Sequence, residues 1–135
     1  CAVRGESPTL NGAPIQVRRT TRSRWSFLVN TGPISRSTIR TWRETADCRT
    51  LMGSIAYSLA LVAAGRIDGV INISTQNEWD IAAAILLVQS AGGMVVDRDL
   101  KPLQCNQPTP SVNGIIAARP DAKPVIQQFL DGHPA

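Results

Sequence analysis

Alternation between apolar and polar stretches divides this chain into short strands and helices. Residues 25–30, 68–74 and 114–118 are rich in the β-branched and apolar residues typical of strands. Residues 54–64 and 80–91 are apolar on almost every side over helical lengths, which predicts two deeply buried helices. Because strands alternate with helices, we expect an α/β fold with a layered sheet and flanking helices.

Turn and capping residues mark the remaining boundaries. Asn11-Gly12 is a strong turn signal and predicts a hairpin between the first residues and residues 15–17. Ser54 is a favourable cap for the first buried helix, and Gly65 is its stop. The other expected elements are a helix over 35–44 with Ile39 and Trp42 on its apolar side, strands over 47–51 and 94–97, a polar loop over 75–78, a Pro-rich loop over 105–112 and a terminal helix over 121–130.

Length and composition indicate a globular protein with one core. The chain has 135 residues, of which 43% are hydrophobic and 18% charged, so we expect a single domain over residues 1–135. No apolar run reaches transmembrane length, and the N-terminal residues lack the features of a signal peptide. We therefore expect a cytoplasmic protein with no membrane partner.

Cysteine and histidine usage argues against two classes of catalyst. Cys1, Cys48 and Cys105 lie far apart with no histidine near them, so we expect reduced thiols and no zinc site. His133 is the only histidine and belongs to a Gly-His-Pro tail. A Ser-His-Asp or Cys-His nucleophile is therefore not expected.

Positive charge is concentrated in one segment. The formal net charge is +4, and eight arginines lie between Arg18 and Arg49 against only Glu44 and Asp47. Such a cluster is either a solvated surface or a binding face for phosphate or nucleic acid. No aromatic-rich RNA-binding motif or helix-turn-helix pattern accompanies it, so we do not expect a nucleic-acid polymer as a partner.

The most informative stretch joins a carboxylate to the start of the second buried helix. It reads Trp79-Asp80-Ile81-Ala82-Ala83-Ala84, and the helix closes with Ser90-Ala91-Gly92-Gly93. The positive end of a helix favours an acid there, and an ionised, fixed carboxylate suits a hard divalent cation. Asp is also a preferred N-cap residue, so the pattern alone leaves both roles of Asp80 open.

Several blocks of the chain occur in an order and spacing that point to one enzyme family. They are Gly53-Ser54, residues 62–69, residues 78–83 and Ala91-Gly92-Gly93, with looser agreement at Arg4-Gly5-Glu6, Asn11-Gly12, Asn106-x-Pro108 and residues 114–118. These blocks resemble the second half of the inositol monophosphatase family over nearly the whole chain. Within that family, Asn77-Glu78-Trp79-Asp80 resembles the 3'(2'),5'-bisphosphate nucleotidase branch more than inositol monophosphatase proper.

The resemblance implies Mg²⁺-dependent, lithium-sensitive hydrolysis of a small phosphate monoester by a metal-activated water. The substrate is expected to be a 3'(2'),5'-bisphosphate nucleotide or an inositol monophosphate. In that family the Asp of the Trp-Asp motif binds a catalytic metal, so the resemblance assigns Asp80 as a metal ligand. Because metal ions neutralise the anionic phosphate and ionise the attacking water, no catalytic nucleophile is expected from the protein.

The resemblance also implies substrate contacts. Gly53, Ser54 and Ile55 are candidate substrate-binding residues through backbone N–H groups or the Ser hydroxyl, although Ser54 alternatively only caps its helix. Asn72 stands where inositol monophosphatases often carry a substrate-contacting acid, and this loss of charge argues against inositol phosphate. Glu78 is either a residue behind the metal site or a solvated loop acid.

The first half of the family pattern is absent. Its metal-binding Glu and its Asp-Pro-(Ile/Leu)-Asp-Gly-Thr block do not occur here. Asp68 in Ile67-Asp68-Gly69 has no preceding Asp-Pro and is interpreted as a turn residue. Arg49 is expected to face phosphate or the missing half.

A half-length phosphatase has consequences for activity and assembly. One carboxylate is a poor Mg²⁺ site, so we expect the chain to be inactive alone and to need the N-terminal half as its partner. The uncovered apolar surface would favour a homodimer. The alternative is a non-catalytic binding module whose Arg18–Arg49 face binds an anionic partner.

Overall fold

The computed structural model describes residues 1–20, 23–30, 32, 34–51 and 53–132. Its strands are β1 (Thr9–Leu10), β2 (Ala13–Pro14), β3 (Trp25–Val29), β4 (Ala46–Thr50), β5 (Gly69–Asn72), β6 (Gln76–Asn77), β7 (Met94–Val96), β8 (Ser111–Val112) and β9 (Ile115–Ala118). Its helices are α1 (Arg36–Thr45), α2 (Ile55–Ala63), α3 (Glu78–Ser90) and α4 (Lys123–Asp131), the last preceded by a 3₁₀ turn at Pro120–Ala122. Among these helices none combines the length and apolarity needed to cross a bilayer.

A five-stranded mixed sheet forms the centre of the fold. Its strand order is β4-β3-β5-β9-β7. β3 pairs in parallel with β4 and β5, whereas β9 runs antiparallel to both of its neighbours, β5 and β7. β3, β4 and β5 therefore end at one edge of the sheet, at Val29, Thr50 and Asn72, and we call this the carboxyl edge.

Helices cover both faces of the sheet. On one face α1 and α4 pack together, with the rings of Trp42 and Phe129 stacked at 4.7 Å between centroids. On the other face α2 and α3 lie side by side. Successive side chains of β5 pack against both helix layers. Val70 points to the α2 and α3 side, and Ile71 points to the α1 and α4 side. The predicted α/β fold, a sheet with flanking helices, is confirmed.

Most predicted boundaries agree with the structure within one or two residues. Asn11 and Gly12 form the turn between β1 and β2 with φ of 52° and 81°, as a type I′ hairpin turn requires. Its second strand lies at residues 13–14 rather than at 15–17. Ser35 and Ser54 cap α1 and α2, each accepting a backbone N–H from three residues further along.

Two predicted loops contain short strands instead. β6 pairs antiparallel with β8, and these strands lie in the stretches predicted as a polar loop and a Pro-rich loop. A two-residue strand has no periodicity to detect, so this pairing was not predictable from alternation. α3 consequently begins at Glu78, directly after β6 and two residues before its predicted start.

The prediction that both apolar helices are deeply buried is wrong for one side of each. Val62 and Val88 are fully buried, whereas Tyr57 is 63% and Trp79 is 69% exposed. Apolar periodicity does not distinguish burial within this chain from burial against another surface. Several exposed and half-exposed apolar residues of α2 and α3 do not pack against the core, and we call them the outer apolar face: Tyr57, Ala60, Leu61, Trp79, Ala82, Ala83 and Leu86.

Candidate functional site

The predicted site residues lie at the carboxyl edge because each follows a strand or begins a helix there. Gly53 and Ser54 connect β4 to α2, Asn72 ends β5, and Asp80 lies in the first turn of α3. α2 and α3 run in the same direction, since both end beside residues 16–18 on the far side of the sheet. Their positive N-terminal ends therefore share this edge. The carboxyl ends of parallel strands are the usual position for a ligand in α/β sheets.

Asp80 occupies the third position of α3 and is exposed to solvent. The N-cap position belongs to Asn77, whose side chain makes no capping hydrogen bond. The alternative that Asp80 serves as the N-cap is therefore wrong. Asp80 takes part in none of the ion pairs formed by the described residues, so its carboxylate faces solvent at the positive end of the helix.

Glu78 has a structural role that the sequence did not reveal. It is buried, its Oε2 accepts a hydrogen bond from the backbone N–H of Asn106 at 2.6 Å, and its Oε1 accepts one from Gln107 at 3.2 Å. The interpretation of Glu78 as a solvated loop acid is wrong, because its side chain points toward the loop at residues 106–107 rather than into water. Burial, and to a smaller extent the charge of Glu78, raises the pKa of the nearby Cys105 thiol.

Asn72 belongs to a network that ties the ends of β3 and β5 together. Its Oδ1 accepts hydrogen bonds from Asn30 Nδ2 and from the Ser74 backbone N–H, each at 3.0 Å. Asn30 Nδ2 also donates to Ser74 Oγ at 3.1 Å. Sequence reasoning missed Asn30, although the rule that parallel strands end at the same edge would have placed it beside Asn72.

The Gly-Ser turn before α2 has a defined backbone role. Ser54 Oγ accepts the Tyr57 backbone N–H at 3.3 Å, so the helix-cap interpretation of Ser54 is confirmed. Gly53 has φ of +79°, the left-handed region that favours glycine. Ile55 is half-buried and begins the helix. Contact of Gly53, Ser54 and Ile55 with a substrate stays a prediction.

Asp68 is the centre of a buried ion cluster. It precedes β5 in a turn, as interpreted from the sequence, but its side chain is fully buried. Its Oδ2 accepts hydrogen bonds from Arg18 Nη1 at 3.0 Å and from the Ser26 backbone N–H at 2.9 Å. Its Oδ1 lies 3.5 Å from Arg119 Nη1. These contacts give Asp68 a structural role on the side of the sheet away from Asp80.

Cys48 is unsuited to nucleophilic chemistry. It lies in β4 with its side chain buried against α1. Burial raises the pKa of this thiol from 9.0 to about 11, although the charge of Arg43 acts in the opposite direction. The thiol therefore stays protonated at neutral pH, and the thiolate is the reactive form.

The described residues do not form a divalent-metal site by themselves. Among them, no three Asp, Glu, His or Cys side chains come together. Of the two acids in the first turn of α3, Glu78 is bound to the backbone of residues 106–107, and only Asp80 is exposed. Mg²⁺ requires several oxygen ligands, so this chain offers one ligand of a set that needs others.

An α/β layered sheet with an acidic helix start and polar strand ends at one edge is an arrangement in which α/β proteins commonly bind small ligands. Residues 1–132 match the profile of the Inositol monophosphatase family. The chain belongs to that family.

Similar proteins carry two kinds of name, Nus factor SuhB and inositol-1-monophosphatase. A Nus factor SuhB from Pasteurella multocida is 34% identical over 105 residues, covering 71% of this chain and 39% of that protein. An inositol-1-monophosphatase from Mesorhizobium japonicum is 52% identical over 56 residues, covering 42% of this chain and 20% of that protein. A solved Pyrococcus horikoshii protein, described as similar to inositol-1-monophosphatase, has a TM-score of 0.80 at 25% identity over 99% of this chain and 52% of its own.

These comparisons also bear on length and branch. The chain spans about half of the solved relative and 39% of the first curated one. The relatives are named for SuhB and inositol monophosphatase, so the family is confirmed, whereas the bisphosphate nucleotidase branch stays a prediction.

Proposed function

We propose that this chain is the C-terminal lobe of a Mg²⁺-dependent phosphatase that hydrolyses a small phosphate monoester. Asp80 is one of its metal ligands in this proposal. The observation that carries the proposal is the position of Asp80, an exposed carboxylate directly after Trp79 of the outer apolar face. A second lobe that covered this face would bring further ligands next to Asp80.

The outer apolar face supports a two-lobe protein. Tyr57 and Trp79 are each more than half exposed, on helices that are apolar on nearly all sides. Exposed apolar area costs about 25 cal/mol per Å² relative to burial, and a large apolar patch marks an interaction surface. Because the solved relative is about twice as long as this chain, we assign the first half of the family pattern as the occupant.

The proposed division of labour leaves substrate orientation to this chain. The N-terminal end of α2 offers backbone N–H groups at Gly53, Ser54 and Ile55 for an oxygen of the substrate. Asn72 is a neutral amide whose Oδ1 already accepts two hydrogen bonds, so its Nδ2 would donate one to a substrate hydroxyl without adding charge. We propose a bisphosphate nucleotide ahead of an inositol monophosphate as the substrate, on the basis of Asn72 and the Asn77–Asp80 motif.

The experiment compares the complete reading frame that contains this sequence with the Asp80→Asn variant. We expect Mg²⁺-dependent release of phosphate from adenosine 3',5'-bisphosphate or inositol 1-phosphate, and a loss of at least about a hundredfold in kcat/KM for Asp80→Asn. Asp99→Asn, an equal charge change at another exposed acid, is the matched control. Turnover by residues 1–135 alone, or full activity of Asp80→Asn, would contradict the proposal.

The second candidate is a non-catalytic module that binds an anion through the Arg18–Arg49 face. It is favoured by the Nus factor names of the SuhB relatives and by the arginines that gather on one side of the sheet. A complete protein with Asp80 intact but no phosphatase activity would support it.

A further inference from the structure

A groove lined by arginines lies near the beginnings of β3 and β4, at the edge of the sheet opposite to the carboxyl edge. Its volume is about 610 Å³. Five arginines and one acid lie in its described lining, and we call it the arginine groove: Arg18, Arg24, Arg43, Arg49, Arg66 and Asp47. This concentration of positive charge creates a strong local potential for anions.

The arginine groove is distinct from the carboxyl edge. Ser26 and Ala46, which also line it, belong to the beginnings of β3 and β4, and Arg66 precedes β5. A strand rises about 3.3 Å per residue, so the beginnings and ends of these strands are about 10–13 Å apart. A compact ligand bound beside Ser26 and Ala46 would therefore lie at the edge of the sheet away from Asp80.

Hydrogen bonds to backbone carbonyls fix the side chains of Arg24 and Arg43 but do not use all of their N–H donors. Arg24 Nη2 donates to the carbonyl oxygens of Arg43 and Ala46, and Arg43 Nε donates to that of Cys48. A guanidinium has five N–H donors, so each retains further donors beside the groove. Because these guanidinium groups are already partly immobilised, they lose less conformational entropy when they bind a ligand.

The other arginines differ in how far their donors are used. Arg18 is committed to the carbonyls of Gly65 and Arg66 and to Asp68. Arg66 has an exposed side chain for which the described part of the chain provides no hydrogen-bond or ion-pair partner. Among the described residues, Asp47 is the one partner of Arg49, with Nη2 and Nε at 3.0 and 3.2 Å from Asp47 Oδ2.

We propose that the arginine groove binds a compact, multiply charged phosphate anion, such as pyrophosphate or the polyphosphate of a nucleotide. Guanidinium forks match phosphate oxygens in pairs, and the volume suits a small molecule. The described lining contains no aromatic side chain on which bases of a single strand would stack. The groove therefore fits a compact phosphate better than a nucleic-acid strand. This proposal stands independently of the phosphatase assignment.

Substitution of Asp47 should change the affinity for phosphate in the direction opposite to the loss of arginines. Its carboxylate bridges to Arg49 and occupies donors that an anion would use. An entering phosphate must displace this carboxylate and tolerate its charge. Asp47→Asn removes that competition, so it should tighten phosphate binding, whereas loss of arginines should weaken it.

The experiment is calorimetric titration of the 135-residue chain with pyrophosphate. We expect one saturable site. We expect a loss of at least about tenfold in affinity in the double variant Arg49→Gln/Arg66→Gln, which removes charged donors without breaking backbone contacts. Arg4→Gln/Arg40→Gln removes the same charge from exposed positions outside the groove and should change affinity less than about twofold. Asp47→Asn should bind about two- to threefold more tightly.

Several outcomes would overturn the proposal. One is the absence of saturable pyrophosphate binding. Another is an equal loss of pyrophosphate affinity in both double variants, once circular dichroism has shown that each is folded. Tighter binding of a single-stranded RNA oligonucleotide through the same arginines would replace the compact anion by a nucleic acid. Tighter pyrophosphate binding in Asp80→Asn, by the loss of a repelling charge as expected for Asp47→Asn, would move the anion to the carboxyl edge.

Discussion

Glu78 and Asp80 show how two acids in one helical turn acquire different roles. They are two positions apart, so their side chains point about 200° away from each other around the helix axis. Glu78 consequently turns toward the loop at residues 106–107 and is buried, whereas Asp80 turns toward solvent. The first anchors the loop at residues 106–107, and the second is exposed and is the residue we propose as a metal ligand.

Asp68 is the residue at which a single substitution should cost the most electrostatic stability. It is fully buried between Arg18 and Arg119, whose side chains are 11% and 4% exposed. Asp68→Asn leaves these positive charges without their buried partner, which should lower the free energy of unfolding by about 3 kcal/mol in urea denaturation.

Asp47→Asn is the control for this prediction. Asp47 forms an ion pair with Arg49, and the two side chains are 47% and 74% exposed. Exposed pairs contribute about 0–1 kcal/mol, so the control should unfold almost as the unaltered chain does. Equal effects of the two substitutions would show that the Asp68 cluster is no more stabilising than a surface pair.

At the level of elements, α3 depends on the loop that closes over its first turn. Glu78 accepts two backbone N–H groups from residues 106–107, and the adjacent β6 pairs with β8. Glu78→Ala would remove both acceptors and lower the free energy of unfolding by about 2 kcal/mol. Hydrogen exchange should accelerate at Asn106 and Gln107 first. Glu44→Ala, at an exposed acid of α1, is the control, and unchanged exchange at residues 106–107 in Glu78→Ala would contradict the prediction.

The elements also show what was predictable from the sequence. Helices α1 and α2 carry their own signals. Ser35 and Ser54 are capping residues, α1 has its apolar residues on one side, and α2 is an apolar run of helical length. The carboxyl-edge network and the buried Asp68 cluster had no such signal. Both join residues more than 40 positions apart in the chain, and only the strand order brings them together.

At the scale of the whole molecule, the helices on the two faces of the sheet differ in the polarity of their outer sides. The α1 and α4 layer is amphipathic, with Ile39 and Phe129 inward and polar residues outward. α2 and α3 have the composition of helices covered on both sides, yet Tyr57 and Trp79 are exposed. In the proposed two-lobe protein, the first half of the family pattern would supply the layer that covers them, and this would account for the deeper burial that the sequence predicted.

The outer apolar face should make the 135-residue chain associate with itself in the absence of another lobe. Light scattering at increasing concentration should show a dimer, because apolar helix faces of this kind gain about 25 cal/mol for each Å² they bury. The double variant Tyr57→Glu/Trp79→Glu places charge on the face and should remain monomeric. Val3→Glu/Leu10→Glu alters the other two large exposed apolar residues among those described, which are 48% and 43% exposed, and should leave the dimer intact. A monomer at every concentration would argue against the face as an interface, and a dimer that only the control variant disrupts would move the contact to the N-terminal hairpin.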